Sequence, residues 1–219
     1  MMQRRNSSFD KIDVVYTWCD GDDPLFKQER IDTLIRQGLP YHEKSQGAAR
    51  FFDNDELKYS LRSIEMYMPW VNHIYVVTNK QRPKWLVDHP RISIVDHYEI
   101  IPNELLPTFN STMIEMYLHK IPGLAEKYVY FNDDVFVNAP LFPEFFFENG
   151  KPIVRLSPDA KYPFIDLRKA ESLLNTSEHF WFKNLIQAWL LAFKRYGRNE
   201  LYRPCHVADA YTKIGRAHV

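Results

Sequence analysis

The segment Asp13-Val14-Val15-Tyr16-Thr17-Trp18-Cys19-Asp20-Gly21-Asp22-Asp23-Pro24 carries an apolar, β-branched run straight into a turn bearing three carboxylates. Ile12 to Trp18 reads as a buried strand, because valines, isoleucine and aromatics in a short run fit a covered sheet better than a solvent-facing helix. In an α/β sheet, the loop after such a strand lies outside the carboxyl ends of the strands, where ligands bind. Its hard oxygen donors suit a magnesium-bound phosphate. The competing reading is an exposed turn, since Asp, Gly and Pro form turns whatever their function.

The rest of the chain alternates strand and helix signals. Phe26 to Gln37 sets Ile31, Leu34 and Ile35 at helical spacing. Asp53 precedes Glu56 by three residues, as in a capping box, and Leu57, Leu61, Ile64 and Met68 then repeat at helical intervals until Pro69 stops the helix. His73 to Thr78, Arg91 to Val95 and Lys127 to Phe131 read as further strands. Thr112 to Lys120 reads as a helix with Ile114, Tyr117, Leu118 and Ile121 on one face. This alternation implies crossover connections and an α/β, Rossmann-like architecture with a mainly parallel sheet. After Pro140 the texture changes to phenylalanines among prolines. From Ser177, Trp181, Leu185, Ala188, Trp189, Ala192 and Tyr196 form an apolar helical stripe that Gly197 would end.

The bulk properties narrow the class. A chain of 219 residues is long enough for one domain with a sizeable core. Its 28 basic and 28 acidic side chains leave no electrostatic footprint for nucleic acid. Cys19 and Cys205 are too few for a disulfide framework or a zinc cage, which fits a reducing cytoplasm. The polar start, Met1 to Phe9, is unlike a secretory signal. The longest apolar run, Leu185 to Phe193, falls short of the ~20 residues a membrane span needs, so any membrane contact would have to be peripheral. The final residues, Ile214 to Val219, read back naturally to ATC GGA AGA GCA CAC GTC, a sequencing-adapter string. The gene's own reading frame is therefore expected to be cut near Thr212, and the tail to carry no fold information.

Two further strings resemble one family together with the first. They are Ala49-Arg50-Phe51-Phe52-Asp53-Asn54-Asp55-Glu56-Leu57-Lys58-Tyr59-Ser60-Leu61-Arg62-Ser63-Ile64 and Tyr128-Val129-Tyr130-Phe131-Asn132-Asp133-Asp134-Val135-Phe136. From about Ile12 to about Phe147 the chain is similar to the Stealth family of hexose-1-phosphate transferases. That family includes bacterial capsule polymerases and the animal enzyme that puts N-acetylglucosamine-1-phosphate onto lysosomal glycoproteins. The resemblance implies a sugar-nucleotide fold similar to A-type glycosyltransferases. It also implies a nucleotide-sugar donor, an oligosaccharide or polysaccharide acceptor, a divalent cation (Mg2+ or Mn2+), and a bacterial cytoplasmic setting. The implied partition is a disordered start at 1–11 and a nucleotide-sugar core at 12–147. A helical extension at 148–213 would open the third conserved block, and 214–219 would be the artefactual tail. The fourth block is missing. An ordinary A-type glycosyltransferase and a noncatalytic nucleotide-sugar-binding module are the competing functions.

The resemblance also assigns roles. Asp133 and Asp134 correspond to an Asp-rich metal element, held at a turn between the strand Tyr128–Phe131 and a second run, Val135-Phe136-Val137. A plain turn with Asn132 is the alternative. Tyr16, Thr17, Trp18, Asp20, Gly21 and Asp23 would serve the donor. Cys19 stands where Val is common, a packing substitution. Arg50 would grip a diphosphate bidentately. Asp53 would join the chemistry or cap a helix, the latter worth about 1 kcal/mol. Asn54 would bind sugar or position Asp53. His206, in Arg203-Pro204-Cys205-His206-Val207, would take the proton of the acceptor hydroxyl. His97 and His119 read as packing or surface residues.

Overall fold

The computed structural model describes residues 11–38, 47, 51–155, 172, 174, 180–197 and 207–213. The chain forms two compact units, Met1–Ile153 with Val207–Val219, and Val154–His206. The first is built on strands β1 (Ile12–Thr17), β2 (Ile74–Thr78), β3 (Ile92–Asp96), β4 (Lys127–Asn132) and, late in the chain, β7 (Asp209–Thr212). They lie in the order β3-β2-β1-β4-β7. The first four are mutually parallel, and β7 pairs antiparallel to β4. The expected α/β, Rossmann-like class is the one observed, and the four parallel strands begin and end within a residue of their readings.

Helices cover both faces of this sheet, which is why β1 is buried through five of its six residues. On one face, Val14, Tyr16, Val76, Val129 and Phe131 pack against Leu57, Leu61, Ile64 and Met68 of helix α2 (Glu56–Tyr67) and the residue after it. On the other face, Val15, Tyr75, Val77, Val95, Tyr128 and Tyr130 meet Ile114, Leu118 and Ile121, which extend helix α4 (Ser111–Tyr117). Helix α1 (Pro24–Gln37) follows β1, and a single turn, α3 (His97–Ile100), follows β3. The chain builds outward from β1 to β2 to β3 and then returns to place β4 on the far side of β1. Strand order therefore reverses between β1 and β4, a topological switch point.

Asp13 secures the opposite end of this junction. It is 1% exposed. Its Oδ1 accepts from Asn72 Nδ2 and its Oδ2 from the backbone N–H of Ala125, both at 2.7 Å. One carboxylate thus ties β1 to the segments entering β2 and β4.

Three local readings are corrected. Val135-Phe136-Val137 is not a strand. Its Val135 N–H closes a turn onto Asn132 O, and Val137 N–H goes to Ser63 Oγ, so α2 rather than the sheet takes up its polar groups. The stretch grouped as 148–213 divides: α5 (Pro143–Phe146) leads into the two-residue strands β5 (Phe147–Glu148) and β6 (Lys151–Pro152), and β7 returns to the core sheet. Helix α1 buries Phe26 and Thr33, while Ile31 and Ile35 stay exposed. Phe26 is what anchors it, with ring centroids 5.9 Å from Phe51 and 5.3 Å from Phe109.

In the second unit, helix α6 (Phe180–Tyr196) buries Ile186 and Leu190. Ala188 and Tyr196, expected on the apolar stripe, are exposed. The side chains of Trp181, Leu185, Trp189 and Ala192 lie outside the described residues. Gly197, at φ 67°, ends the helix as expected, its N–H returning to Phe193 O. Among the described residues no helix is long and apolar enough to cross a membrane.

Replacing Asp13 by Ala strands a buried backbone donor and the Asn72 amide. We expect a loss of about 2 kcal/mol in unfolding free energy, read by urea denaturation. An unchanged midpoint would show that the carboxylate does not hold the junction.

Candidate active site at the switch point

The register pairs Thr17 with Asn132 at the carboxyl ends of β1 and β4. The two acidic loops, Trp18 to Asp23 and Asp133-Asp134, therefore leave the sheet side by side at the point where ligands bind in open α/β sheets. A hydroxyl chain pins the strand ends. Thr17 Oγ1 lies 2.9 Å from Tyr130 OH, which donates to Asn132 Oδ1 at 2.8 Å. On the other face, the fully buried Tyr16 meets Ser60 Oγ at 2.7 Å, and Ser60 donates to Val135 O at 2.6 Å. Burial pushes the phenols of Tyr16 and Tyr130 up, so both remain neutral donors. Tyr16 and Thr17, expected at the donor, are thus engaged in holding the two loops' roots together.

The first loop is fixed from two sides. Gln81, beyond β2, forms a reciprocal pair with the Asp20 backbone: its Oε1 accepts from Asp20 N at 3.0 Å and its Nε2 donates to Asp20 O at 2.9 Å. Thr78 Oγ1 in turn donates to Gln81 O at 2.8 Å. Gly21 abuts Phe51 so closely that a Cβ there would sit 1.8 Å from the Phe51 carbonyl oxygen. Only glycine fits. Asp23 turns away to cap α1, accepting from Leu25 N at 2.7 Å and Phe26 N at 3.1 Å, with Pro24 at the first helical position. Asp22 pairs with Lys27 at 2.7 Å on the surface.

The third acidic element packs against the first. Trp18, 6% exposed, donates from Nε1 to Asp53 Oδ2 at 3.2 Å. Asp53 Oδ1 accepts from Asp55 N at 3.0 Å. The expected capping box at Asp53 does not form, and the helix start lies two residues further on. Helix α2 starts at Glu56, behind Asp55 at φ 65°, whose side chain makes no cap. This left-handed residue turns Asp53 away from the helix end and towards Trp18. Glu56 reaches back instead to Asn54, accepting from its backbone N–H and, at 2.9 Å, from its Nδ2. Asn54 is exposed, with its amide committed to Glu56.

The electrostatics show the convergence. Burial pushes the Cys19 thiol up to about 12, helped by Asp133, Asp53 and Asp20 and opposed by Arg30. One side chain thus senses all three acidic segments. Cys19 is a neutral packing group, in keeping with its reading as a substitute for Val. Asp133 is pushed up to about 6, first by burial, then by Asp134, with smaller contributions from Asp53 and Glu56. Asp53 is also raised, by burial and then by its hydrogen bond with Glu56. These carboxylates are partly buried and repel one another, a pattern that clusters at functional sites.

Trp18, Asp20, Gly21, Asp53 and Asp133 are therefore brought together. Arg50 and His206 lie outside the described residues. His97 is buried, and burial lowers its pKa to about 4; His119 is half-buried, its Nδ1 2.9 Å from Met116 O. Sequence reasoning missed Gln81, Ser60 and Tyr130. Gln81 carried no readable signal, because its role is to imitate a neighbouring strand for one residue of another loop. Among the described residues no three His, Cys, Asp or Glu side chains are grouped as a ready metal cage. The donor set nonetheless has the right chemistry for a hard cation that takes one or two carboxylates and completes its shell with substrate phosphate.

Gly21→Ala should displace Phe51 and cost on the order of 2 kcal/mol, read as a lowered denaturation midpoint. Gln81→Ala should cost about 1 kcal/mol or less while sharply raising hydrogen exchange at Asp20. Unaltered exchange there would show the clamp to be incidental.

Residues 50–154 match the family model described as Stealth protein CR2, conserved region 2. An exopolysaccharide phosphotransferase of Streptomyces coelicolor, SCO2594, is 51% identical over 156 residues, 70% of this chain and 25% of that protein. The capsular polysaccharide phosphotransferase LcbA of Neisseria meningitidis is 49% identical over 143 residues, 64% of this chain and 39% of that one. A capsular polysaccharide phosphotransferase of Actinobacillus suis is 39% identical over 187 residues, 82% of this chain and 49% of that one. The chain spans between a quarter and a half of the length of these relatives. The matched region covers the Asp53 loop, the switch-point strand β4 and both carboxylates after it, so this chain carries the conserved region 2 of the Stealth proteins.

Proposed function

We propose that the chain provides the donor-binding core of a phosphotransferase. It would move hexose-1-phosphate from a nucleotide diphosphate sugar to a glycan hydroxyl, in capsule or exopolysaccharide synthesis in a bacterial cytoplasm. The observation that carries this reading is the pair of acidic loops rooted side by side at the β1/β4 reversal, in a chain similar to named capsular and exopolysaccharide phosphotransferases. In the reaction, the acceptor oxygen bonds to the sugar-bearing phosphorus while the bond to the bridging pyrophosphate oxygen breaks. Nucleoside monophosphate leaves with the electron pair, and the acceptor proton passes to a base.

The residues divide this work by position. Phosphoryl transfer asks the protein chiefly for positioning and charge compensation. Asp133 and Asp134 would hold a divalent cation, which neutralises charge on the diphosphate. Gly21 and the Asp20 backbone, fixed by Gln81, would line the donor's approach. Trp18 holds Asp53 against the crevice wall through its indole N–H. The reading gives Arg50 the transferring phosphoryl group and His206 the acceptor proton.

The direct test uses the full-length enzyme with labelled nucleotide sugar and acceptor. Release of nucleoside monophosphate supports the reading, and release of nucleoside diphosphate would overturn it in favour of glycosyl transfer.

Asp133→Asn separates function from folding. Transfer should fall on the order of a hundredfold. In chelator at pH 7.5 the variant should be more stable, on the order of 2 kcal/mol, because the native carboxyl is raised from 3.8 to about 6. A group with its folded pKa raised contributes stability that is full below about pH 4 and is lost as pH rises through about 6. His97, lowered from 6.5 to about 4, acts in the opposite sense across the same window, since it loses stability as pH falls. The difference between wild type and variant, measured by urea denaturation from pH 4 to 8, is therefore the readout. Saturating Mg2+ should shrink that difference. If it does not, Asp133 is not a cation ligand.

A further inference from the structure

The connection from β2 to β3 contains no helix. Residues 79–91 run as an irregular segment with a turn at Lys84-Trp85, where a parallel crossover usually places a helix. Only Trp85 and Leu86 lean from it onto the core formed by α2 and the sheet. The space that a crossover helix would fill is a cavity of about 300 Å³. One wall is α2, through Lys58, Leu61, Arg62 and Met68; the other is the irregular segment, through Trp85 and Arg91. Ile74 and Ile92 also line it, which puts it at the amino ends of β2 and β3, the end of the sheet opposite the acidic loops.

Its chemistry is apolar inside and cationic at the mouth. Lys58, Arg62 and Arg91 stand against one carboxylate, Glu65, among the lining residues, and Lys58 also reaches Asp55 at 3.9 Å. Arg62 lies over the Tyr59 ring at 5.7 Å, and Arg91 Nη1 makes a long contact of 3.4 Å with Val71 O. Among the described residues neither guanidinium meets a carboxylate within 4.0 Å. Arg82 braces the segment by donating to Asp88 at 2.6 Å and Leu86 O at 3.2 Å. Val87, 75% exposed, is left standing outward, with Tyr59 (55%) and Met66 (67%) exposed on α2.

We propose that this cavity receives the anionic headgroup of a membrane phospholipid, seating the unit on an anionic bilayer through Trp85, Val87 and the surrounding cations. Trp favours the headgroup level, Lys and Arg reach past apolar stems to lipid phosphates, and basic clusters bind anionic leaflets. A soluble phosphate would satisfy the cations but leave the apolar rim in water. The bilayer would meet the amino ends of the strands, leaving the crevice at their carboxyl ends open to a soluble donor. The inference is independent of the transfer chemistry, and its test does not use activity.

The test is co-sedimentation of the full chain with vesicles of phosphatidylcholine, with and without phosphatidylglycerol. Binding should require phosphatidylglycerol and shift tryptophan emission to the blue. The double variant Arg62→Glu/Arg91→Glu should bind about tenfold or more weakly. Arg36→Glu/Lys120→Glu, which makes the same charge change elsewhere, should stay within about twofold. Thermal melts check that both pairs fold. If the first pair does not, Arg62→Gln/Arg91→Gln replaces it. Three results would overturn the proposal: no preference for phosphatidylglycerol, equal losses in the two charge-reversed pairs, or release from vesicles by soluble glucose 1-phosphate.

Discussion

The parallel pairing of β1 with β4 is the constraint on which the candidate site rests. Because Thr17 stands opposite Asn132, the residues that follow each strand emerge as neighbours, and both loops are acidic. A slip of one residue would send every alternate side chain to the wrong face. The structure guards against it from both ends. Asp13 binds the segments entering β2 and β4, and the Thr17, Tyr130 and Asn132 hydroxyl and amide chain binds the exits. Tyr16 and Tyr130 combine large apolar bodies with hydroxyls that have defined partners.

The same arrangement gathers like charge where folding alone would avoid it. Burial, then Asp134 with smaller contributions from Asp53 and Glu56, raises the cost of ionising Asp133, and burial followed by Glu56 raises that of Asp53. Purely structural selection would place an amide at such a position. A carboxylate there costs the fold stability, and partly buried, perturbed acids of this kind cluster at functional sites. Cys19 records the geometry, since its thiol responds to acids from three separate segments.

Much of the architecture was legible in the sequence because the strands are short, apolar and separated by helical periodicity. β1 through β4 and α2 could be read from residue type and spacing. What failed did so for local reasons. The Asp53 to Glu56 spacing fits a capping box, but Asp55 takes a left-handed conformation that composition does not announce. Val135 to Val137 has strand composition, yet its polar groups are taken by Asn132 and Ser63. β7 is too short to stand out, and its role depends on the free edge of β4. Only the resemblance marked the acids of the separate loops as one group. Gln81 and Ser60, which position them, act through contacts 61 and 44 residues away in the chain.

The abutment of Gly21 on Phe51 links two loops that the sequence keeps 30 residues apart. With no room for even a methyl group between them, neither can shift inward alone. A ligand that draws in the β1 loop must carry the approach to α2 with it, so that loop and the Asp53 turn would respond as a single rigid body. Substitutions in the two loops should accordingly behave non-additively, each changing the penalty of the other.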